Sequence, residues 1–259
     1  HMNMQGFLAN KSWWARWLRL APMRWLFPRL DRIIGVSEGV VEDTLEITGM
    51  PRDRVIAIRN PVIRPELFAM ADAPSPHPWF DADVPVVLGA GRLTPEKDFP
   101  TLIRAFAQLR KTQPARLIIV GEGPLEAELR ALTESLNIAQ DVDFPGFTVN
   151  PFAYMKRASL FVMSSAWEGS GNVLVESLAL GTPSVSTDCP FGPRETLADG
   201  RYGRLVPVGD DVALAEAMRS TLAEPLPETL LKEAVRDFDI HVSASRYLEV
   251  LFEGMSPCR

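Results

Sequence analysis

Residues 164–183 read SSAWEGSGNVLVESLALGTP. The apolar run Leu160-Phe161-Val162-Met163 leads into it with the character of a strand. The turn Gly169-Ser170-Gly171 then predicts a helix opening near Asn172, with Glu176 in its first turn and Glu168 on the incoming loop. Two carboxylates therefore flank a helix N-terminus. A loop without bulk lets a ligand approach the backbone closely, and unpaired N–H groups at a helix start attract anions, so the stretch reads as a phosphate seat. Glu176, on the helix face of Asn172, can reach a group attached to that phosphate, such as a ribose. Taken alone, the two glutamates are more often a loop charge and an exposed helix carboxylate. Their surroundings decide between the readings.

Upstream and downstream the pattern is regular. Strand-like runs at Val86 to Ala90, Leu117 to Val120, Val142 to Phe144, Leu160 to Met163 and Ser184 to Ser186 alternate with helical stretches. The helices are expected near Phe99 to Lys111, Pro124 to Asn137, Pro151 to Arg157 and Asn172 to Leu180. Such alternation predicts an α/β, doubly wound parallel sheet of Rossmann type, whose ligands bind at the carboxyl ends of the strands. Before it, Asp31 to Ser37, Glu38 to Thr48 and Arg54 to Ile58 read as strand, helix and strand, a unit that cannot bury both faces by itself. Between the two, prolines 61, 65, 74, 76, 78 and 85 give loop or linker composition, with His77 read as a surface loop residue. After the sheet, Val212 to Leu222, Glu228 to Asp237 and Val242 to Phe252 read as helices.

Composition bounds the function. The 259 residues are 46% hydrophobic and 23% charged, ordinary for a globular protein with a large core. Two cysteines, Cys189 and Cys258, form neither a disulfide framework nor a metal spacing, which makes a reducing cytoplasm the default expectation. His1-Met2 looks like a cloning scar. Residues 1 to 30 hold Lys11, Arg16, Arg19, Arg24 and Arg29 and no acid, so the rest carries 22 basic and 33 acidic residues. An acidic body argues against nucleic acid as a partner. Residues 11–29 interleave those five cations with four tryptophans, which suits an anionic membrane surface or another protein surface, and no apolar run is long enough to span a bilayer. Asp141-Val142-Asp143 spells D-x-D but opens an apolar strand, so no metal is expected there; Gly89-Ala90-Gly91 fails as a dinucleotide fingerprint because Thr94 stands at the third glycine position.

The pair Glu168 and Glu176 followed by Ala179-Leu180-Gly181-Thr182-Pro183 resembles the signature of the retaining family 4 glycosyltransferases. The resemblance extends to Gly91-Arg92-Leu93-Thr94-Pro95-Glu96-Lys97-Asp98, to Val120-Gly121-Glu122-Gly123-Pro124 and to Gly203-Arg204-Leu205-Val206-Pro207, and covers roughly residues 30 to 255. It implies the C-terminal half of a GT-B fold. Residues 1–63 would be a remnant of the N-terminal acceptor-binding domain, whose earlier part is absent, and 64–84 a linker. Residues 85–240 would be the donor domain, and 241–259 a helix returning towards the N-terminal domain.

The resemblance also implies an enzyme, of retaining hexosyltransferase type. Arg92 and Lys97 would hold the donor diphosphate, so that no metal or other cofactor is needed, and Glu168 would contact the sugar. Glu176 would accept hydrogen bonds from the ribose, Gly171, Asn172 and Val173 would give backbone N–H groups to the phosphates, Gly91, Gly169 and Ser170 would join the donor site, and the turn at Gly146 and Phe147 would meet the base. Ser170-Gly171 stands where many members have Phe-Gly, a change that keeps the backbone role and alters contacts to the sugar. The expected partners are a nucleotide-sugar donor, UDP-linked in preference to GDP-linked, and a glycan or lipid-linked acceptor of a bacterial-type surface polysaccharide, at the cytoplasmic face of a membrane. Self-association through uncovered surface is a further expectation. The family's catalytic histidine lies in the N-terminal domain and matches no residue here, so weak donor binding and little transfer are expected of this chain. The competing readings are a non-catalytic sugar-nucleotide or scaffold module and an NAD-type oxidoreductase. Two cations and two carboxylates in one cleft disfavour the first, and the failed glycine pattern disfavours the second.

Overall fold

The computed structural model describes residues 12–252. Strands β3 (Val86–Ala90), β4 (Arg116–Val120), β5 (Val142–Gly146), β6 (Leu160–Met163), β7 (Ser184–Thr187) and β8 (Arg204–Val206) form one parallel sheet in the order β5-β4-β3-β6-β7-β8. The chain starts in the middle, moves outward through β4 to β5, then returns to the other side of β3 and moves outward again. The chain order therefore reverses between β3 and β6, the switch point at whose strand ends open α/β sheets bind ligands in a crevice.

Both faces of the sheet are covered, so neighbouring residues of one strand enter different cores. Val87, Leu117, Ile119, Leu160 and Val162 join one core beneath α4 (Phe99–Arg110), α5 (Glu126–Ser135) and α9 (Asp211–Ala223). Leu88, Ile118, Val120, Phe161 and Met163 join the other, beneath α6 (Phe152–Arg157), α7 (Asn172–Ala179) and α10 (Glu228–Glu233). This is why the strands read as continuous apolar runs and not as alternations.

The first unit is smaller. After α1 (Trp13–Leu26), β1 (Ile33–Gly35) pairs in parallel with β2 (Val55–Ala57) across α2 (Glu38–Thr48). Ser37 caps α2 by accepting the Val40 N–H at 3.2 Å, and Gly49 closes it in a left-handed conformation, donating to the Leu45 carbonyl at 2.8 Å. Its core is Val41, Met50 and Val55.

Several expectations are corrected. The proline-rich stretch holds a helix, α3 (Pro65–Ala71), whose Leu67 and Ala71 are buried in the second core, and a 3₁₀ turn at Pro78–Asp81. Pro65 and Pro78 open these helices, where the missing N–H costs nothing. His77 is half-buried: its Nε2 bonds Asp143 at 3.1 Å and its Nδ1 accepts the Trp79 N–H at 3.2 Å. Gly203 to Pro207, where the sequence reading set no strand, contains the edge strand β8. The helix expected to reach Asp237 stops at Glu233 and gives way to a 3₁₀ turn, Arg236–Phe238, before α11 (Ile240–Phe252). Only Ser243 of α11 is buried, and Leu248, Leu251 and Phe252 are exposed.

Candidate functional site

The crevice is built from three loops tied together through backbone. The Gly91 N–H donates to the Val120 carbonyl at 3.0 Å, Leu93 to Glu122 at 2.9 Å, and Gly121 to Gly146 at 2.9 Å. Gly121 has φ 141°, and a Cβ there would fall 1.9 Å from the Gly91 carbonyl oxygen. No other residue allows β3 and β4 to end so close together. Above these loops lies a pocket of about 390 Å³ lined by Gly91, Arg92, Gly121, Phe147, Thr148 and Val173 among others. Arg92 is exposed, and the Phe147 ring is 68% exposed at the rim.

The loops after β3 and β6 meet at an ion pair. Lys97 Nζ lies 2.5 Å from Glu168 Oε1, with side-chain exposures of 19% and 13%. The same Glu168 oxygen accepts from Ser165 Oγ at 2.7 Å, and Ser164 Oγ donates to the Lys97 carbonyl at 2.8 Å. An ammonium has three donors, so Lys97 can hold Glu168 and still offer hydrogens to an anion. The Cys189 thiol lies in the field of this pair. Burial first, and the Glu168 charge second, push it up to about 12, so the sulfur stays protonated and inert.

Helix α7 opens at Gly171, which is left-handed (φ 67°, ψ 45°) and takes the first helical bonds, from Leu174 at 2.9 Å and Val175 at 3.4 Å, on its carbonyl. The N–H groups of Asn172 and Val173 thus have no intrahelical acceptor. Gly169 and Ser170 form the preceding turn, Ser170 buried at 8%. Glu176 is the fifth residue of α7, not in the first turn, which holds no acid. It is mostly buried, and burial pushes its carboxyl up to about 7 against the opposing charge of Arg64.

The structure thus gathers Gly91, Arg92, Phe147 and Val173 around one pocket and brings Lys97 onto Glu168. Gly146, Gly169 to Asn172 and Glu176 flank these groups without lining the pocket. Both carboxylates of the D-x-D are engaged away from it. Asp141 is bound by Arg110 at 2.7 Å and by Arg116, near the start of β5, and Asp143 holds His77. No group of three or more acids, histidines or cysteines able to hold a metal occurs among the described residues.

Groups that the sequence reading did not place here come from the first unit. Ser37 Oγ donates to the Gly169 carbonyl at 3.3 Å, and Asn60 Nδ2 donates to Asn172 Oδ1 at 3.0 Å. Neither carries a local signal, because each partner lies more than a hundred residues away.

Comparison with known proteins decides the family. The family described as glycosyl transferases group 1 matches residues 77–238. The chain belongs to this family. A relative from Campylobacter jejuni, N-acetylgalactosamine-N,N'-diacetylbacillosaminyl-diphospho-undecaprenol 4-alpha-N-acetylgalactosaminyltransferase, is 32% identical over 201 residues, covering 77% of this chain and 53% of its own length. The lipopolysaccharide core biosynthesis glycosyltransferase LpsE of Rhizobium meliloti is 32% identical over 233 residues, covering 85% of this chain and 66% of its own. The chain thus spans between about half and two thirds of these relatives. Among solved structures, Anabaena HepE in complex with UDP and glucose superposes with a TM-score of 0.79 at 23% identity, over 91% of this chain and 67% of that one. The fold, an α/β fold with one parallel sheet, is that of GT-B glycosyltransferases.

Proposed function

We propose that the crevice between β3 and β6 binds the nucleotide-sugar donor, a UDP-sugar, of a retaining hexosyltransferase that extends a glycan or lipid-linked acceptor. The observation that carries this reading is the meeting of Lys97 and Glu168 between the exposed Arg92 and the open start of α7. As the anomeric bond breaks, negative charge grows on the diphosphate, and cations fixed in advance stabilise it. Arg92 supplies a planar fork and Lys97 a point charge; together with the N–H groups of Gly171, Asn172 and Val173 they replace a metal. Glu168, held by Lys97 and Ser165, faces the sugar as a fixed negative charge beside the developing cationic ring. Glu176 receives the ribose hydroxyls, and Phe147 with Gly146 borders the base. UDP complexes of a protein of the same fold and a lipid-diphosphate-linked acceptor in the name of one relative support the choice of partners.

The reading places the protein at the cytoplasmic face of a membrane. No helix of the described residues is long and apolar enough to cross one. Surface contact falls to α1, where Trp14, Trp17 and Trp25 are exposed.

Thermal shift against UDP, GDP, ADP and NAD tests the site. A ligand that binds only the folded chain adds about 2.7 kcal/mol at a hundred times its dissociation constant. UDP is expected to stabilise and NAD to leave the midpoint unchanged; a larger shift with GDP would move the donor to a GDP-sugar, and no shift with any would remove the nucleotide reading for this chain. Arg92→Ala should weaken UDP by about tenfold, the size of a charge-assisted contact, and leave uridine unaffected. Equal weakening of both would take Arg92 off the diphosphate.

A further inference from the structure

One carboxylate outside the donor groups gathers three donors of the first unit. Glu195, on the short helix α8 (Pro193–Thr196), accepts the N–H of Glu38 at 3.0 Å on Oε2 and the N–H of Gly39 at 2.9 Å on Oε1. Its Oε2 also receives Arg59 Nη1 at 2.6 Å, with side-chain exposures of 20% for Arg59 and 22% for Glu195. Glu38 and Gly39 are the first two residues of α2, so the acid sits on the positive end of that helix with an arginine beside it. Both its oxygens are used.

The contact does not stop at the carboxylate. Gly39 backs onto the Phe191 ring, where a Cβ would fall 2.1 Å from a ring carbon, and Gly192 backs onto Ser170, where a Cβ would fall 2.7 Å from its carbonyl oxygen. Ser37, which caps α2, donates its own hydroxyl to Gly169, and Asn60 reaches Asn172. The start of α2, the turn 191–195 and the loop 169–172 are therefore stacked in three layers, with Glu195 fastening the first to the second.

We infer that Glu195 is a positioning residue for the donor site: by fastening Arg59 and the start of α2 to the turn 191–195, it holds the loop Gly169 to Asn172 in its anion-binding shape. The inference rests on the reading of that loop as the phosphate seat. It makes donor affinity depend on the first unit, through a residue that touches no ligand.

Hydrogen exchange on the 259-residue chain tests it without a ligand. In Glu195→Ala, amides of both 37–41 and 168–173 should exchange about tenfold faster or more, as expected when charge-assisted bonds of ordinary strength are lost. Arg219→Ala, on the far helix α9, should change neither. UDP should bind Glu195→Ala about tenfold more weakly with uridine unchanged, because only the phosphate seat has loosened. Exchanging the charges in Glu195→Arg with Arg59→Glu should not restore the seat, since a cation would then face the start of α2. If Glu195→Ala fails to fold, Glu195→Gln, which keeps one acceptor oxygen, serves the same comparison. Faster exchange confined to 37–41, with 168–173 unchanged, would reduce Glu195 to a helix cap and overturn the inference, as would full rescue by the charge exchange. Failure of the parent chain to bind UDP or GDP would instead sink the donor reading, while the exchange rates at 168–173 would still decide the role of Glu195.

Discussion

Glu176 carries opposite demands. Its folded value of about 7 lies above the ordinary carboxyl value because burial disfavours the charge, so the native chain binds this proton more tightly than the unfolded chain. Stability from this group is therefore full below the unfolded value of 4.5 and is lost as pH rises towards 7, a cost of about 3 kcal/mol above that. Glu176→Gln should melt about 6 °C or more above the parent at pH 8 and lose that advantage near pH 4.5. The same variant should bind UDP more weakly at pH 8, because an ionised carboxylate accepts from both ribose hydroxyls and an amide does not. A gain in melting point with no loss of UDP affinity would take Glu176 off the ribose. Asp141 is the simpler case. It is 5% exposed and holds Arg110 and Arg116, so Asp141→Ala removes the one carboxylate that both guanidinium groups share and should cost about 3 kcal/mol, read as a melting point about 6 to 12 °C lower.

Elements set how close those residues come. The turn after β4 exists because Gly121 has no side chain, and its clash with the Gly91 carbonyl is with backbone that cannot swing away. Gly121→Ala should lower stability by about 3 kcal/mol or more and weaken UDP binding together with it; retention of both would show that the loops after β3 and β4 part at little cost. The strands of the sheet were legible because burial on both faces leaves each as an apolar run between turns. β8 was not, since three residues with an exposed Arg204 carry no periodic signal. α3 was hidden for another reason: prolines that start a helix and prolines that prevent one are the same letters, and the distinction lay in Leu67 and Ala71 reaching a core built mostly by later residues. The charged groups of the site were named from spacing and resemblance. The contact of Glu195 with α2 was beyond such reading, because its partners lie 156 and 157 residues away and only the fold brings them together.

At the scale of the whole molecule, α1 and α11 both present large apolar side chains to solvent. On α1, Arg24 donates to the Ile47 carbonyl at 3.0 Å and Arg29 lies 4.0 Å over the Trp25 ring, while Trp14, Trp17 and Leu18 are exposed. The chain should sediment with vesicles containing phosphatidylserine at low salt and less so at 0.5 M salt, roughly where the screening length has shrunk to a few ångströms. Replacing Trp14 and Trp17 by Ala should abolish the binding, and unchanged binding would assign the face to a protein partner.

The first unit and the sheet are joined at a link that a later segment of the chain braces. At 62–63 the chain leaves the first unit, and residues 238–240 lie alongside that link: Val62 and Ile63 donate to the Phe238 carbonyl at 3.0 Å, and Ile240 donates to Ile63 at 3.0 Å. Segments bonded in this way cannot slide past one another without breaking those bonds. Relative motion is thereby restrained at this link, and the contacts of Ser37 with Gly169 and of Glu195 with the start of α2 lie farther from it along the chain. A rotation of a few degrees would register there as a gap over Gly169 to Asn172 before anything in the sheet had moved.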